Sequence, residues 1–135
     1  MIDIFKLERI AEHFAISIEW FVENKGEYGD FNPNTRTINI WSQCSNDEIV
    51  QTFFHELCHA IDPVVHKEEK DLTDVDIVRS ELLAELVSKE IVGDKYWDDG
   101  AIKDLKSCLS SKNIKVIIDA VPEYVDVIWR GVENG

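Results

Sequence analysis

Two histidines four residues apart, with a glutamate directly after the first, sit in a segment whose two ends are both marked, and no other feature limits the fold as much. The segment reads Phe53-Phe54-His55-Glu56-Leu57-Cys58-His59-Ala60-Ile61. Upstream, Ser45-Asn46-Asp47-Glu48 fits a capping box, in which the serine caps the first turn and the glutamate reaches back to the serine N–H. Downstream, Asp62-Pro63 stops a helix, because proline has no N–H to give and clashes with the preceding turn. Between these marks Ile49, Phe53, Phe54, Leu57 and Ile61 supply an apolar flank. The segment is therefore expected to be a helix, from about residue 46 to 61.

On a helix, residues four apart lie one above the other, so the His55 and His59 imidazoles can reach one ion. Glu56 projects about 100° further round. It can stand beside a metal-bound water without ligating the metal. Zn²⁺ lowers the pKa of such a water toward ~7, and a carboxylate can then take its proton and pass it to a leaving amine. This composition would produce such a pattern by accident about once in a hundred chains. Two imidazoles and a carboxylate among apolar neighbours would be costly without a partner.

A catalytic zinc needs a third protein ligand and an open fourth position. His66 stands seven residues after His59. Asp62 and Val65 occupy the places where a glycine and a third histidine would continue a three-histidine motif, so His66 is read as a loop residue. His13 is read as an ordinary helix residue. The stronger candidates are Glu81 and Glu85, four apart in Ser80-Glu81-Leu82-Leu83-Ala84-Glu85-Leu86. Thr73 or Asp74 caps their helix, which runs to about Val92, with Gly93 just past its end. Framed by Ile77, Val78, Leu82, Ala84 and Leu86, their stripe reads as half-buried, and a cation with its histidines would offset the cost of burying carboxylates there.

The remaining pattern indicates a single α+β domain over residues 1–135. A helix is expected over residues 3–14 and a strand over 16–22. A hairpin follows, from Tyr28–Phe31 through Asn32-Pro33-Asn34-Thr35 into Thr37–Trp41. These make a short antiparallel sheet, in which residues 36–41 are the candidate strand for pairing with substrate backbone. After the loop 93–100, short helices are expected at about 101–110, 113–120 and 123–130, the last opening after Pro122.

His-Glu-x-x-His followed by a glutamate on the next long helix resembles the gluzincin arrangement of zinc metallopeptidases. The short form, with a small sheet before the active helix, resembles the ImmA/IrrE-type peptidases and the zincin domain of ArdC-type antirestriction proteins of phages and plasmids. The run Ser80-Glu81-Leu82-Leu83-Ala84-Glu85-Leu86-Val87 is similar to the Glu-Leu-Val-Ala-Glu-Leu-Gly segment of the latter. The likeness spans about residues 28–92. It implies a small zincin-like fold with Glu81 as the third metal ligand. Glu85 would accept the free N–H of a histidine ligand and fix its tautomer. The two glutamates could exchange these roles without changing the chemistry. Usual ImmA/IrrE features, Glu-Ala-Asn and a following Phe-Ala pair, are missing, as is the DNA-binding extension of ArdC proteins.

The expected function is a zinc-dependent metallopeptidase acting on a protein or peptide substrate, with the metal-bound water activated by Glu56. The alternative is a non-catalytic acidic antirestriction or inhibitor module with a zincin-like metal site. A net charge of −13, from 27 acidic and 14 basic residues, disfavours direct nucleic-acid binding and anionic membranes. It suits solubility, a basic protein partner, or mimicry of a nucleic acid's charge. Cys44, Cys58 and Cys108 fit no metal knuckle or disulfide framework. The start, Met1-Ile2-Asp3-Ile4-Phe5-Lys6, does not read as a secretion signal, and no apolar run approaches the ~18 residues of a membrane span. A cytoplasmic location is therefore expected. For the group that steadies the oxyanion, Tyr28, Tyr96, Tyr124 and His66 are candidates without a spacing argument.

Overall fold

The computed structural model describes residues 4–63, 71–96 and 98–134. Among the described residues the chain forms an α+β fold of five α-helices and a three-stranded mixed sheet: α1 (Ile4–His13), β1 (Ser17–Phe21), β2 (Gly29–Asn32), β3 (Thr37–Trp41), α2 (Asn46–Ile61), α3 (Asp74–Val92), α4 (Asp99–Ser107) and α5 (Ser111–Asn134). A short 3₁₀ turn, Gly93–Lys95, follows α3. The expected loop position of His66 lies outside the described residues.

Both long central helices open with a complete capping box. Ser45 accepts from the Glu48 N–H while Glu48 returns to the Ser45 N–H, and Thr73 and Asp76 do the same for α3. Each box satisfies two otherwise orphaned backbone donors. Gly93, at φ 62, closes α3 in a left-handed conformation that side-chain-bearing residues avoid.

The sheet order is β1-β3-β2. The hairpin pairs β2 antiparallel to β3, as its alternation suggests, but β1 pairs parallel to β3, so the sheet is mixed and not antiparallel. The connection explains this. Residues 22–28 cross from β1 to a strand that starts at the same end of the sheet, so β2 runs opposite to β1. The hairpin then reverses β3, which lies parallel to β1. In the turn, the Asn32 side chain accepts from the Asn34 and Thr35 N–H groups.

The C-terminal helices also differ from expectation. Residues 111–134 form one helix that passes straight through Pro122. A proline inside a helix costs about 3 kcal/mol. The buried residues Ile117, Val121 and Ile128 continue one apolar stripe across it, and burying a side chain of this size is worth about 1.5–3 kcal/mol each. The stripe therefore outweighs the break. Near the end of α5, Gly131 lets α1 approach closely: a Cβ there would lie 2.3 Å from the Phe14 ring.

The core joins Leu7 and Ile10 of α1, Ile38 and Ile40 of β3, Phe53, Phe54 and Leu57 of α2, Leu82 and Val87 of α3, and Ile128 of α5. Phe53 and Phe54 meet edge to face, with ring centroids 5.1 Å apart. Helices α2 and α3 pack against each other, and the buried Ser88 hydroxyl donates to the Gln51 carbonyl at 3.2 Å. The three cysteines are unpaired, and among the described residues no helix is long and apolar enough to cross a membrane.

Candidate metal centre and cleft

Helix α2 carries His55, Glu56 and His59, and the facing side of α3 carries Ser80, Glu81 and Glu85. Packing between the two helices brings the six side chains together. The Nε2 atoms of His55 and His59 lie 3.1 Å apart. One Glu81 oxygen is 2.8 Å from His59 Nε2 and the other 3.2 Å from His55 Nε2. His55, His59 and Glu81 each offer one ligand atom, all within 4.8 Å of one another, so this group could hold a metal ion. Two imidazole nitrogens and a carboxylate oxygen on two packed helices form a rigid donor set, and the structure leaves both Nε2 atoms facing the same point.

The back of each ring is also held. His55 Nδ1 lies 2.8 Å from Glu85 Oε1, and Glu85 accepts a further hydrogen bond from the Tyr96 hydroxyl. His59 Nδ1 lies 3.1 Å from the Ser80 hydroxyl, which donates to Asp62 Oδ2 at 2.9 Å. Glu85 can only accept. Ser80 has committed its hydrogen to Asp62, so toward His59 it too accepts. Both rings therefore keep a proton on Nδ1, which leaves Nε2 of each as the ligating atom once a cation is bound; without one, a proton on Nε2 is donated to the Glu81 carboxylate. The sequence singled out Glu85 but not Asp62 or Ser80. Asp62 carried only its helix-stop signal, and Ser80 looked like an ordinary residue beside Glu81.

Electrostatics follow from this packing. Burial alone would lower the His55 pKa, but hydrogen bonds to Glu81 and Glu85 overcome it and hold the metal-free imidazole at about 10. Burial also works against the Glu81 carboxylate, yet its hydrogen bonds to His55 and His59 keep it well below the usual carboxylate range. Burial raises Glu56 to about 7, only partly opposed by the charges of His55 and His59. Burial, then the hydrogen bond to Glu85, raises the Tyr96 hydroxyl well above its ordinary value. Among the described residues, Glu56 is 8% exposed and has no hydrogen-bond or ion-pair partner.

Two cavities meet at Glu56 and Glu81. One, of about 290 Å³, lies on the His55 side and is bordered by Tyr28, Gly29, Thr52 and Asp98. The other, of about 250 Å³, lies on the His59 side and is bordered by Asp30, Phe31, Leu72 and Ile77. A chain crossing the site would therefore pass Glu56 with space to either side. Strand β3 is the central strand, with β1 and β2 occupying its two edges, so residues 36–41 are not available for pairing with a further strand. That position belongs to β2, an edge strand whose Gly29, Asp30 and Phe31 border the cavities. The alternating pattern could not separate an edge from a centre.

Of the tyrosines, only Tyr28 reaches the cleft beside Glu56. Tyr96 is committed to Glu85 and to the Asp98 carbonyl, and Tyr124 borders a separate cavity near Ile61 and Pro63. No family model, no curated protein and no solved structure matches the chain.

Proposed function

We propose that this chain is a zinc-dependent metallopeptidase of gluzincin type, similar to the ImmA/IrrE-type peptidases and the zincin domain of ArdC-type proteins. One observation carries the reading: two imidazoles with matched tautomers and one carboxylate converge, and beside them a buried carboxylate without a protein partner faces the cleft. His55, His59 and Glu81 would hold the ion. When bound, Zn²⁺ supplies a Lewis acid that acidifies water and polarises a carbonyl.

The chain's own residues do the rest. Glu56 takes the proton of the attacking water as the new C–O bond forms, then delivers it to the nitrogen as the C–N bond breaks. A carboxyl raised to about 7 by burial is suited to both halves of that transfer, because its proton is neither too tightly nor too weakly held near neutral pH. Glu85 and Ser80 hold the imidazoles in the ligating tautomer. Strand β2 offers its edge to an extended substrate, and Tyr28, whose hydroxyl is hydrogen-bonded to Glu48, borders the same cavity. The substrate is a cytoplasmic protein or peptide in this reading.

A non-catalytic acidic module remains the competing reading because the net charge is −13. A purely structural ion has no use for Glu56. Metal content by plasma mass spectrometry, on wild type beside His59→Ala, Glu81→Ala and Glu85→Ala, tests the site: about one zinc per chain is expected, lost in the first two variants. Absence of stoichiometric metal after reconstitution with zinc would sink the reading. Trapping of protein substrates by Glu56→Gln, with metal retained, then separates enzyme from binder.

A further inference from the structure

A cavity larger than either cleft cavity lies away from the metal centre. It is a trough of about 850 Å³ between α3 and α5, against about 290 and 250 Å³ for the two cleft cavities. Its floor is apolar: Leu86 of α3, and Ile118, Val121, Pro122 and Val125 of α5. Ile118 is 46% exposed.

The polar features around that floor are acceptors apart from Lys89. Glu90 and Asp94 stand on the α3 side and Asp126 on the α5 side, all three exposed. Helix α3 ends at Gly93, also in the lining, so the negative end of its dipole lies beside the trough. Pro122 has no N–H, so the Ile118 carbonyl one turn earlier lacks its helical donor, and both residues border the trough. The single lining cation, Lys89, is paired with Asp99 at 2.7 Å.

From this convergence we infer that the α3–α5 trough docks a basic amphipathic helix of a partner protein. The apolar face of that helix would lie on Leu86, Val121 and Val125, and its lysines or arginines would meet Glu90, Asp94, Asp126 and the freed carbonyl. Apolar anchors at i, i+3, i+4 and i+7 match a trough between two helices, and cationic donors match its rim. A second copy of this chain is a poor occupant: at −13 per chain, two copies repel. The inference does not depend on the peptidase reading, since no residue of the metal centre borders the trough.

The test uses the full chain and a synthetic helical peptide with leucine on one face and lysine on the other, titrated by fluorescence anisotropy and by amide chemical-shift mapping. Shifts should cluster on Leu86–Asp94 and Ile118–Asp126. Binding should weaken by about ten-fold in the exposed triple variant Glu90→Lys, Asp94→Lys, Asp126→Lys. It should weaken far less in Glu8→Lys, Glu12→Lys, Glu19→Lys, which changes net charge equally on elements that do not border the trough. Ile118→Glu should also weaken binding, which pure charge attraction would not predict. Equal losses in the two triple variants, or shifts centred on His55 and Glu56, would overturn the inference. So would concentration-dependent dimerisation in ultracentrifugation that Ile118→Glu abolishes, since the trough would then be a self-contact.

Discussion

The Ser80 hydroxyl oxygen lies 3.1 Å from Nδ1 of His59, and its hydrogen is already given to Asp62 at 2.9 Å. The imidazole must therefore donate, and its Nε2 is left as a ligand atom. Ser80→Ala removes the acceptor and frees the ring to rotate or change tautomer. Zinc affinity, measured by chelator competition, should fall by roughly 10–100-fold. Ser88→Ala, which breaks another buried α3–α2 hydrogen bond away from the histidines, should lower stability and leave affinity near wild type. Equal affinities for wild type and Ser80→Ala would refute the orienting role.

Without metal, His55 donates to Glu81 and Glu85 at once, and its pKa rises from 6.5 to about 10. A folded-state pKa above the unfolded value stabilises fully below pH 6.5, and that stabilisation is lost as pH rises through about 10. Glu56, raised to about 7, acts in the same direction at lower pH. Melting of the metal-free protein should therefore shift to lower temperature between pH 6.5 and 10. With zinc bound the imidazolium is gone, so the shift should largely vanish. Zinc binding near pH 8 should release about one proton, visible as a binding enthalpy that varies with the ionisation heat of the buffer. A flat pH profile for the metal-free protein would contradict the double hydrogen bond.

Glu56→Gln should keep zinc and lose peptide hydrolysis by about 10²–10⁴-fold. The amide fills the same space but cannot carry the proton. In wild type the acid limb of kcat/KM should fall below pH 7, because the base must be ionised and a cation beside it lowers the metal-free value of about 7. Hydrolysis by Glu56→Gln at the wild-type rate would exclude Glu56 as the base.

Local signals carried much of the fold. Ser45 with Glu48, Asp62-Pro63, Thr73 and Gly93 mark the ends of α2 and α3 because caps and breakers act within one turn of the chain. The four-residue spacings in His55/His59 and Glu81/Glu85 put each pair on one helix face. Only the packing of α2 on α3 distinguishes the glutamates: Glu81 touches both Nε2 atoms, while Glu85 reaches the far side of His55 alone. What did not show in the sequence was set by distant contacts. Alternation in Thr37–Trp41 cannot tell a central strand from an edge, nor a parallel neighbour from an antiparallel one. Pro122 is a local stop signal that burial of Ile117, Val121 and Ile128 overrides. The Asp62–Ser80–His59 chain links positions 18 and 21 apart, beyond any helical period.

Two glycines separate the needs of the cleft from those of the fold. A Cβ on Gly29 would lie 2.5 Å from the Asn39 carbonyl oxygen and 2.8 Å from Thr52 Cγ2, and Gly29 opens the edge strand beside the His55-side cavity. A Cβ on Gly131 would meet Phe14 at 2.3 Å, where α5 packs against α1. Each alanine forces its neighbours apart, at about 1–3 kcal/mol. At Gly29 the shift moves β2 relative to α2, which carries His55 and Glu56. Gly29→Ala should therefore lower kcat/KM per folded molecule while zinc stoichiometry stays at the wild-type value. Gly131→Ala meets only the ends of the Phe14 and His13 rings, which can turn aside, so it should lose less stability and keep wild-type kcat/KM below its melting range. If Gly29→Ala matched wild type in kcat/KM, β2 would not be the strand along which substrate lies.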